Sequence, residues 1–368
     1  MTGILQKGIR RLVAEMRERR RWGALRSAED ICVYYGMDYL PSREDLISGG
    51  IVKFLDLAEQ FPNAIEKANI LYMVSSALPD RRGLLARAVH RARGRFVLNQ
   101  NGVAYPAWAG KGWKAINAPN ARVYAMADHV VYQSEFCRRC AEQFLGPRNG
   151  PGEVLYNPVN TENFLPREGF DQSTRAPVLL AAGSHHDAYR VKRVIEALAA
   201  IRSEESDACL IVAGRLVWGP DAEAEARGWV RELGLAEVVE FSGPYSQTEA
   251  PLIIQQADLL VHLKVQDPCP RLAVEAMACG VPVIYSLTGG VPELVGDEGG
   301  VGIPGEESFD QMHIPSSDEV AAGILSALEN RDTLARQARA RAIRLFSSQD
   351  WVEAHARIFT SLAKGVAL

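Results

Sequence analysis

Residues Asp267 to Val295, DPCPRLAVEAMACGVPVIYSLTGGVPELV, limit what this chain can fold into more than any other stretch. From Leu272 to Cys279 an apolar helical run carries one ionisable residue, Glu275, among Leu272, Ala273, Val274, Ala276, Met277 and Ala278. A carboxylate set among apolar side chains loses hydration that it regains only by pairing or by accepting strong hydrogen bonds. Glu275 therefore needs a donor. Gly280 suits a helix C-terminus, Val281 to Tyr285 reads as a buried strand, and Gly289-Gly290 with Pro292 reads as a glycine turn opening another helix. Helix, strand, glycine turn and helix start, in that order, can aim free backbone N–H groups at an anion. The plainer alternative is a buried helix whose glutamate is merely ion-paired.

The rest of the chain alternates in the same way. Ile31–Tyr35, Asn69–Val74, Arg95–Leu98, Asp128–Gln133 and Glu153–Tyr156 read as strands, separated by helical runs at Ile51–Phe61, Arg81–Arg93 and Ser134–Leu145. After a polar, aperiodic linker at Pro166–Ala176 the rhythm resumes. Strands are expected at Pro177–Ala182, Cys209–Ala213, Val238–Phe241 and Asp258–Leu263, and helices from Arg190, at Asp221–Leu233 and at Gln247–Gln256. Helices at Ser317–Glu329, Arg331–Leu345 and Gln349–Ala363 close the chain. This is the βαβ pattern of parallel sheets covered on both faces, whose ligands bind beyond the carboxyl ends of the strands. Gly183, Gly214, Gly243 and Asp267 fall at those ends. Arg190 and Lys192 stand together at a helix start, where two cations oppose the positive end of the helix dipole and an anionic ligand would relieve them. As exposed charges they need no such ligand.

At 368 residues and 47% apolar composition the chain exceeds one ordinary core, so two domains are expected. No apolar run reaches the ~20 residues of a membrane span and no segment has signal-peptide form, so a cytoplasmic protein is expected. The six cysteines are scattered, and the CxxC at Cys137–Cys140 lacks a second ligand pair, so it reads as packing thiols. His185 and His186 read as loop residues rather than metal ligands. The net charge of −4 hides an asymmetry: residues 1–26 carry eight Lys or Arg against Glu15 and Glu18, giving +6 and leaving −10 elsewhere. Leu5, Ile9, Leu12, Val13 and Met16 share one helical face of that segment, with Trp22 near its end. Such a helix can lie on an anionic membrane surface or pack on its own domain. With the remainder acidic and no binding module in view, nucleic acid is not an expected partner.

The Asp267–Val295 stretch resembles the donor-binding signature of retaining, nucleotide-sugar-dependent glycosyltransferases of family 4, which have the GT-B fold. That signature pairs two carboxylates, separated by seven intervening residues, with EAMACG, a strand and GG-x-PE. Here Glu275 to Gly280, Gly289, Gly290, Pro292 and Glu293 match, and the first carboxylate falls at Asp267, one methylene shorter than the usual Glu. The resemblance implies two Rossmann-like, doubly wound α/β domains facing a central cleft. An acceptor domain over 27–165 is joined by a C-terminal helix at 349–364 that returns to it, and a donor domain covers 177–346. It implies a diphosphate clamp of an Arg directly after the glycine now at Gly183 and a Lys several residues later; here Lys192 aligns with that lysine and Arg190 stands as the displaced arginine. Glu275 would sit on the ribose, with Asp267 and Glu293 orienting the donor. Gly49 and Gly50, Gly214, and the amides of Arg271 and Leu272 would lie at the donor, and Tyr245 beside its base. Where relatives carry a histidine near the reacting sugar this chain has Asn101, which hydrogen-bonds but takes up no proton at neutral pH. Asn99, Gln100 and Trp108 would face the acceptor; Trp108 and Trp113, in a loop at Tyr105–Trp113, serve equally as loop packing.

The implied reaction moves a sugar from a nucleoside diphosphate sugar to a hydroxyl of a glycan or lipid-linked acceptor. The nucleotide-sugar is a substrate; no cofactor and no metal are expected. A GT-B epimerase or phosphorylase, a catalytically silent partner and a nucleotide-binding regulator stay open beside it. No G-x-G-x-x-G, Walker or G-x-S-x-G motif occurs.

Overall fold

A computed structural model describes residues 16, 18, 20–167, 176–203 and 207–365. Strands β1 (Val33–Tyr34), β2 (Ile70–Val74), β3 (Arg95–Gln100), β4 (His129–Tyr132) and β5 (Gly152–Val154) pair in parallel in the order β1-β2-β3-β4-β5. All of β2 is buried, with Ile70, Tyr72 and Val74 in one apolar layer and Leu71 and Met73 in the other. Covering both faces explains the unbroken apolar run in the sequence. Helix α1 (Gly49–Ala58) packs Phe54 and Leu57 on the first face. The second face takes Leu85 and Val89 of α2 (Arg82–Arg91), Val123 of α4 (Trp113–Tyr124), and Cys137 and Ala141 of α5 (Glu135–Leu145).

The second sheet runs β11-β10-β9-β6-β7-β8, again parallel, with β6 (Val178–His185), β7 (Cys209–Leu216), β8 (Val239–Gly243), β9 (Leu259–His262), β10 (Val283–Ser286) and β11 (Gly300–Ile303). Leu179 and Ala181 of β6 pack with α6 (Tyr189–Ser203), α7 (Ala222–Glu232) and α11 (Ser317–Glu329). Leu180 and Ala182 face α8 (Ala250–Ile254), α9 (Arg271–Ala278), α10 (Val291–Gly299) and α12 (Arg331–Leu345). Chain order diverges at the β6/β9 pair, the topological switch point where such sheets hold ligands.

Helix α13 (Ser348–Lys364) returns to the first sheet, burying Trp351, Ile358 and Phe359 against Tyr72 and Val97. A directed hydrogen-bond chain seals this joint. Gln133 donates to Asn99 Oδ1 at 2.6 Å, Asn99 Nδ2 to the Tyr72 hydroxyl at 3.0 Å, and that hydroxyl to His355 Nε2 at 3.0 Å. His355 Nδ1 donates onward to Trp351 O at 2.8 Å, and burial, which lowers the imidazole to about 4, keeps it neutral so that Nε2 accepts from Tyr72.

The structure corrects one expectation and adds two features that the sequence reading left open. The segment Tyr105–Trp113 is not a loop: α3 (Pro106–Ala109), a turn of 3₁₀ helix and α4 occupy it. Gly110, Gly112 and the internal Pro119 hid that helix, which Asn117 anchors through bonds to both the N–H and the C=O of Ala104. Strand β11, short and half glycine, was not anticipated. At the end of the basic segment Trp22 packs on its own domain, buried against Tyr34 and donating to Glu18, while Arg21 pairs with Asp38 at 2.8 Å. The basic helix itself falls mostly on residues 1–15, 17 and 19, outside the described residues, as does most of the linker. Among the described residues no helix is long and apolar enough to cross a membrane.

Candidate functional site

Between the carboxyl ends of the two sheets lies a cleft of about 910 Å³. The first domain lines it with the start of α1 (Ser48, Gly49, Gly50), the loops at Ser75–Ser76 and Asn101–Tyr105, and Gln133 from the end of β4. The second domain contributes the ends of β6 and β7 at Gly183 and Gly214, the turn at Tyr245–Gln247, the loop from Lys264 to Pro270 and the start of α9. Helices α1 and α9 both enter without a side-chain cap, from Ser48 and Pro270, so both point uncovered N-termini into this region. Gly183 and Gly214 have φ of +111° and +99°, and a side chain at Gly214 would run into the Gly183 carbonyl. Only glycine lets β6 and β7 close together at the cleft edge.

Arg190 sits at the switch point, 7% exposed. One of its nitrogens donates to Ser184 O at 2.8 Å, and Nε has no partner among the described residues. A buried guanidinium so lightly satisfied presents unspent donors to whatever enters the cleft. Beside it, burial and the Arg190 charge push the His185 imidazole down to about 3, so it is neutral. Asp267 accepts from His262 Nε2 at 3.0 Å and pairs with Lys264 Nζ at 3.3 Å. Burial alone would raise this carboxyl, but Lys264 and His262 hold it well below the usual carboxylate range, so it is ionised. The preceding Gln266 is forced to φ +51°, a conformation costly for a non-glycine residue.

Glu275 finds the donors its sequence context demanded. Its Oε1 accepts from Arg271 Nε and from Gln247 Nε2, each at 2.8 Å, while Oε2 bonds nothing among the described residues. Arg271 also reaches across to Asp56 of α1 at 2.7 Å, joining the two domains through a buried ion triad. Leu272 and Tyr245 line the cleft next to Glu275.

Asn101 lines the cleft, its Oδ1 accepting from Gly102 N at 2.8 Å, and Trp108 stands exposed at the rim. Other expected residues lie elsewhere. Lys192 is turned outward on α6, near Glu196 at 3.9 Å and over the Trp229 ring at 5.5 Å, because the inward stripe of that helix is Val191, Val194, Ile195 and Leu198. Glu293 lies outside the cleft lining: its two carboxylate oxygens accept from the N–H groups of Glu135 and Phe136 at 2.7 and 2.8 Å, capping α5 across the domain seam. Gly289 and Gly290 lie behind the Asp267–Pro268 turn, and a side chain at Gly290 would strike the Pro268 carbonyl. Gly290 N donates to Asp267 O at 2.9 Å, so the glycine pair holds the loop that carries Asp267. Asn99 and Gln100 are buried beneath the cleft, the first in the Gln133–Tyr72 chain and the second bonded to Asn101 O.

The cleft also holds residues that motif reading missed: Lys53, His262, Lys264, Gln133 and Asn157. Gln133 Oε1 and Asn157 Oδ1 are buried without partners among the described residues. The sequence signal for His262 and Lys264 was their placement at the end of a strand, just before Asp267. Cys137 and Cys140 are packing thiols, both pushed up to about 12 by burial. Among the described residues no group of three His, Cys, Asp or Glu side chains is placed to hold a metal.

Residues 167–344 match the family model of glycosyl transferases group 1. Over 194 residues the chain is 27% identical to the MMP alpha-(1->4)-mannosyltransferase of Mycolicibacterium hassiacum, covering 52% of this chain and 44% of that one. Over 181 residues it is 27% identical to the D-inositol 3-phosphate glycosyltransferase of Streptomyces bingchenggensis, covering 45% and 40%. The chain thus spans less than half the length of these curated relatives. Anabaena HepE in complex with UDP-glucose superposes with a TM-score of 0.65 at 20% identity, over 84% of this chain and 81% of that one. Sucrose-phosphate synthase from Thermosynechococcus elongatus does so at 0.64 and 19%, over 89% and 81%. These likenesses establish the GT-B fold.

Proposed function

We propose, for a chain whose residues 167–344 belong to glycosyl transferases group 1, that it transfers a sugar from a nucleoside diphosphate sugar to a hydroxyl of a glycan or lipid-linked acceptor, with retention at the anomeric carbon. One observation carries the reading. A buried arginine with unspent donors, two uncapped helix starts and a carboxylate with an open oxygen line one cleft at the switch point. Arg190 and the N-termini of α1 and α9 hold the diphosphate, the open oxygen of Glu275 takes a ribose hydroxyl, and Tyr245 flanks the base.

Breaking the bond between the anomeric carbon and the diphosphate oxygen leaves negative charge on phosphate and positive charge on the ring. Fixed positive groups aimed at that phosphate stabilise the separated charges most in the transition state. The acceptor hydroxyl enters on the face the phosphate leaves, and its proton passes to the departing phosphate oxygen. Ionised Asp267, held by His262 and Lys264, is placed to orient the sugar. Exposed Leu46, Trp108 and Ile116 on the cleft rim support an acceptor with apolar surface.

The test is a panel of UDP-, GDP-, dTDP- and ADP-sugars scored by thermal stabilisation and slow hydrolysis. The UDP-glucose held by Anabaena HepE makes UDP-sugars the first to try. Stabilisation and turnover by one base class are expected; no response to any donor overturns the reading. Asn101, which cannot accept a proton, favours a second reading as a silent donor-binding partner, and binding without any turnover selects it.

A further inference from the structure

Lys53 lies in the first turns of α1, three residues beyond Gly50, and lines the cleft while only 2% exposed. Its ammonium makes one hydrogen bond, to Gly49 O at 3.3 Å, and no ion pair among the described residues. The charged groups around it are already engaged. Asp56, on the same helix, is bonded by Arg43 at 2.9 Å and by Arg271 at 2.7 Å, and Arg271 itself is a cation. The Lys264–Pro270 loop and α5 bring the thiols of Cys269 and Cys137 near it. Burial pushes the amine down to about 8, with Arg271 lowering it further and Asp56 raising it. A buried ammonium with three donors and one long bond is a liability that the fold alone does not explain. It becomes useful if an anion arrives.

We propose that Lys53 is a cation for the donor's diphosphate supplied by the first domain, so that the nucleotide is gripped from both walls of the cleft. The proposal rests on the reading above and adds to it a residue that takes over the role Lys192 cannot fill. The α1 N-terminus and Lys53 then act as one positive unit: the helix presents its free amides, and the ammonium lies directly behind them.

The test is Lys53→Met, close in length and apolar, compared with wild type by calorimetric titration of the nucleoside diphosphate that the donor panel selects. At pH 8, in two buffers of different ionisation enthalpy, wild type is expected to take up about half a proton on binding, because the anion raises a half-deprotonated amine. Lys53→Met should bind about tenfold more weakly and take up no proton. Without ligand it should melt at a higher temperature, since an unpaired buried charge has been removed. Lys53→Gln should show the same loss of affinity and of proton uptake. Unchanged affinity and proton uptake in both variants overturn the inference while the functional reading stands. Affinity that falls together with the ligand-free melting temperature assigns Lys53 to packing and also overturns it. Wild type that binds no nucleoside diphosphate overturns the functional reading itself.

Discussion

Replacing Arg271 with Met should destabilise the protein through a nameable set of contacts. Arg271 joins Asp56 Oδ2 at 2.7 Å to Glu275 Oε1 at 2.8 Å, and all three side chains are less than a tenth exposed. Removing the shared cation leaves two buried carboxylates, and breaking a buried pair from one side costs about 3–5 kcal/mol. Each acid keeps one partner, Asp56 its Arg43 and Glu275 its Gln247, which puts the loss at the lower end, about 3 kcal/mol. With a urea m-value of about 3 kcal/mol per M, the unfolding midpoint should fall by about 1 M. Tryptophan fluorescence against urea reads it. Replacing Asp56 and Glu275 as well, by Leu and Gln, should recover much of the loss, because no orphaned charge then remains. A midpoint shift under about 0.3 M for Arg271→Met refutes the argument that the triad is a shared buried ion site.

Two further outcomes follow from the geometry. Arg190→Ala should lower donor turnover by about 10²-fold, as loss of a transition-state donor does, while Lys192→Ala stays within about twofold; equal losses measured by donor hydrolysis would contradict the placement of both. His355 is held neutral, its imidazole lowered to about 4 chiefly by burial, so the unfolded chain binds more protons between about pH 4 and 6.5. Its contribution is complete above about pH 6.5 and is lost as pH falls through 4; the stability gap between wild type and His355→Gln should therefore narrow by about 2 kcal/mol from pH 7 to pH 5, and a constant gap contradicts it.

How much of this was legible in the sequence depended on whether the information was local. The parallel sheets were, because strands such as Ile70–Val74 are apolar on both faces and separated by helical runs. Glu275 was, because a lone carboxylate in an apolar helix must find donors. The choice between Arg190 and Lys192 was also within reach: the stripe Val191, Val194, Ile195 and Leu198 fixes the inward face of α6, and Lys192 with Glu196 lies off it. Glu293 was beyond reach, because its partners are the N–H groups of Glu135 and Phe136, some 158 and 157 residues away in sequence. Lys53 looked like one polar residue in an amphipathic helix, and only the packing of α5 and the Pro268–Arg271 segment around it shows that its ammonium is buried with one bond. Gly289 and Gly290 were read as ligand contacts when their lack of a side chain serves close backbone approach behind the loop.

The most direct measurement is a crystal structure of the protein with the nucleoside diphosphate that the donor panel selects. The account predicts phosphate oxygens within about 3 Å of the Arg190 guanidinium and a ribose hydroxyl on Glu275 Oε2. A nucleotide bound elsewhere, or a diphosphate in the cleft turned away from Arg190, would contradict it.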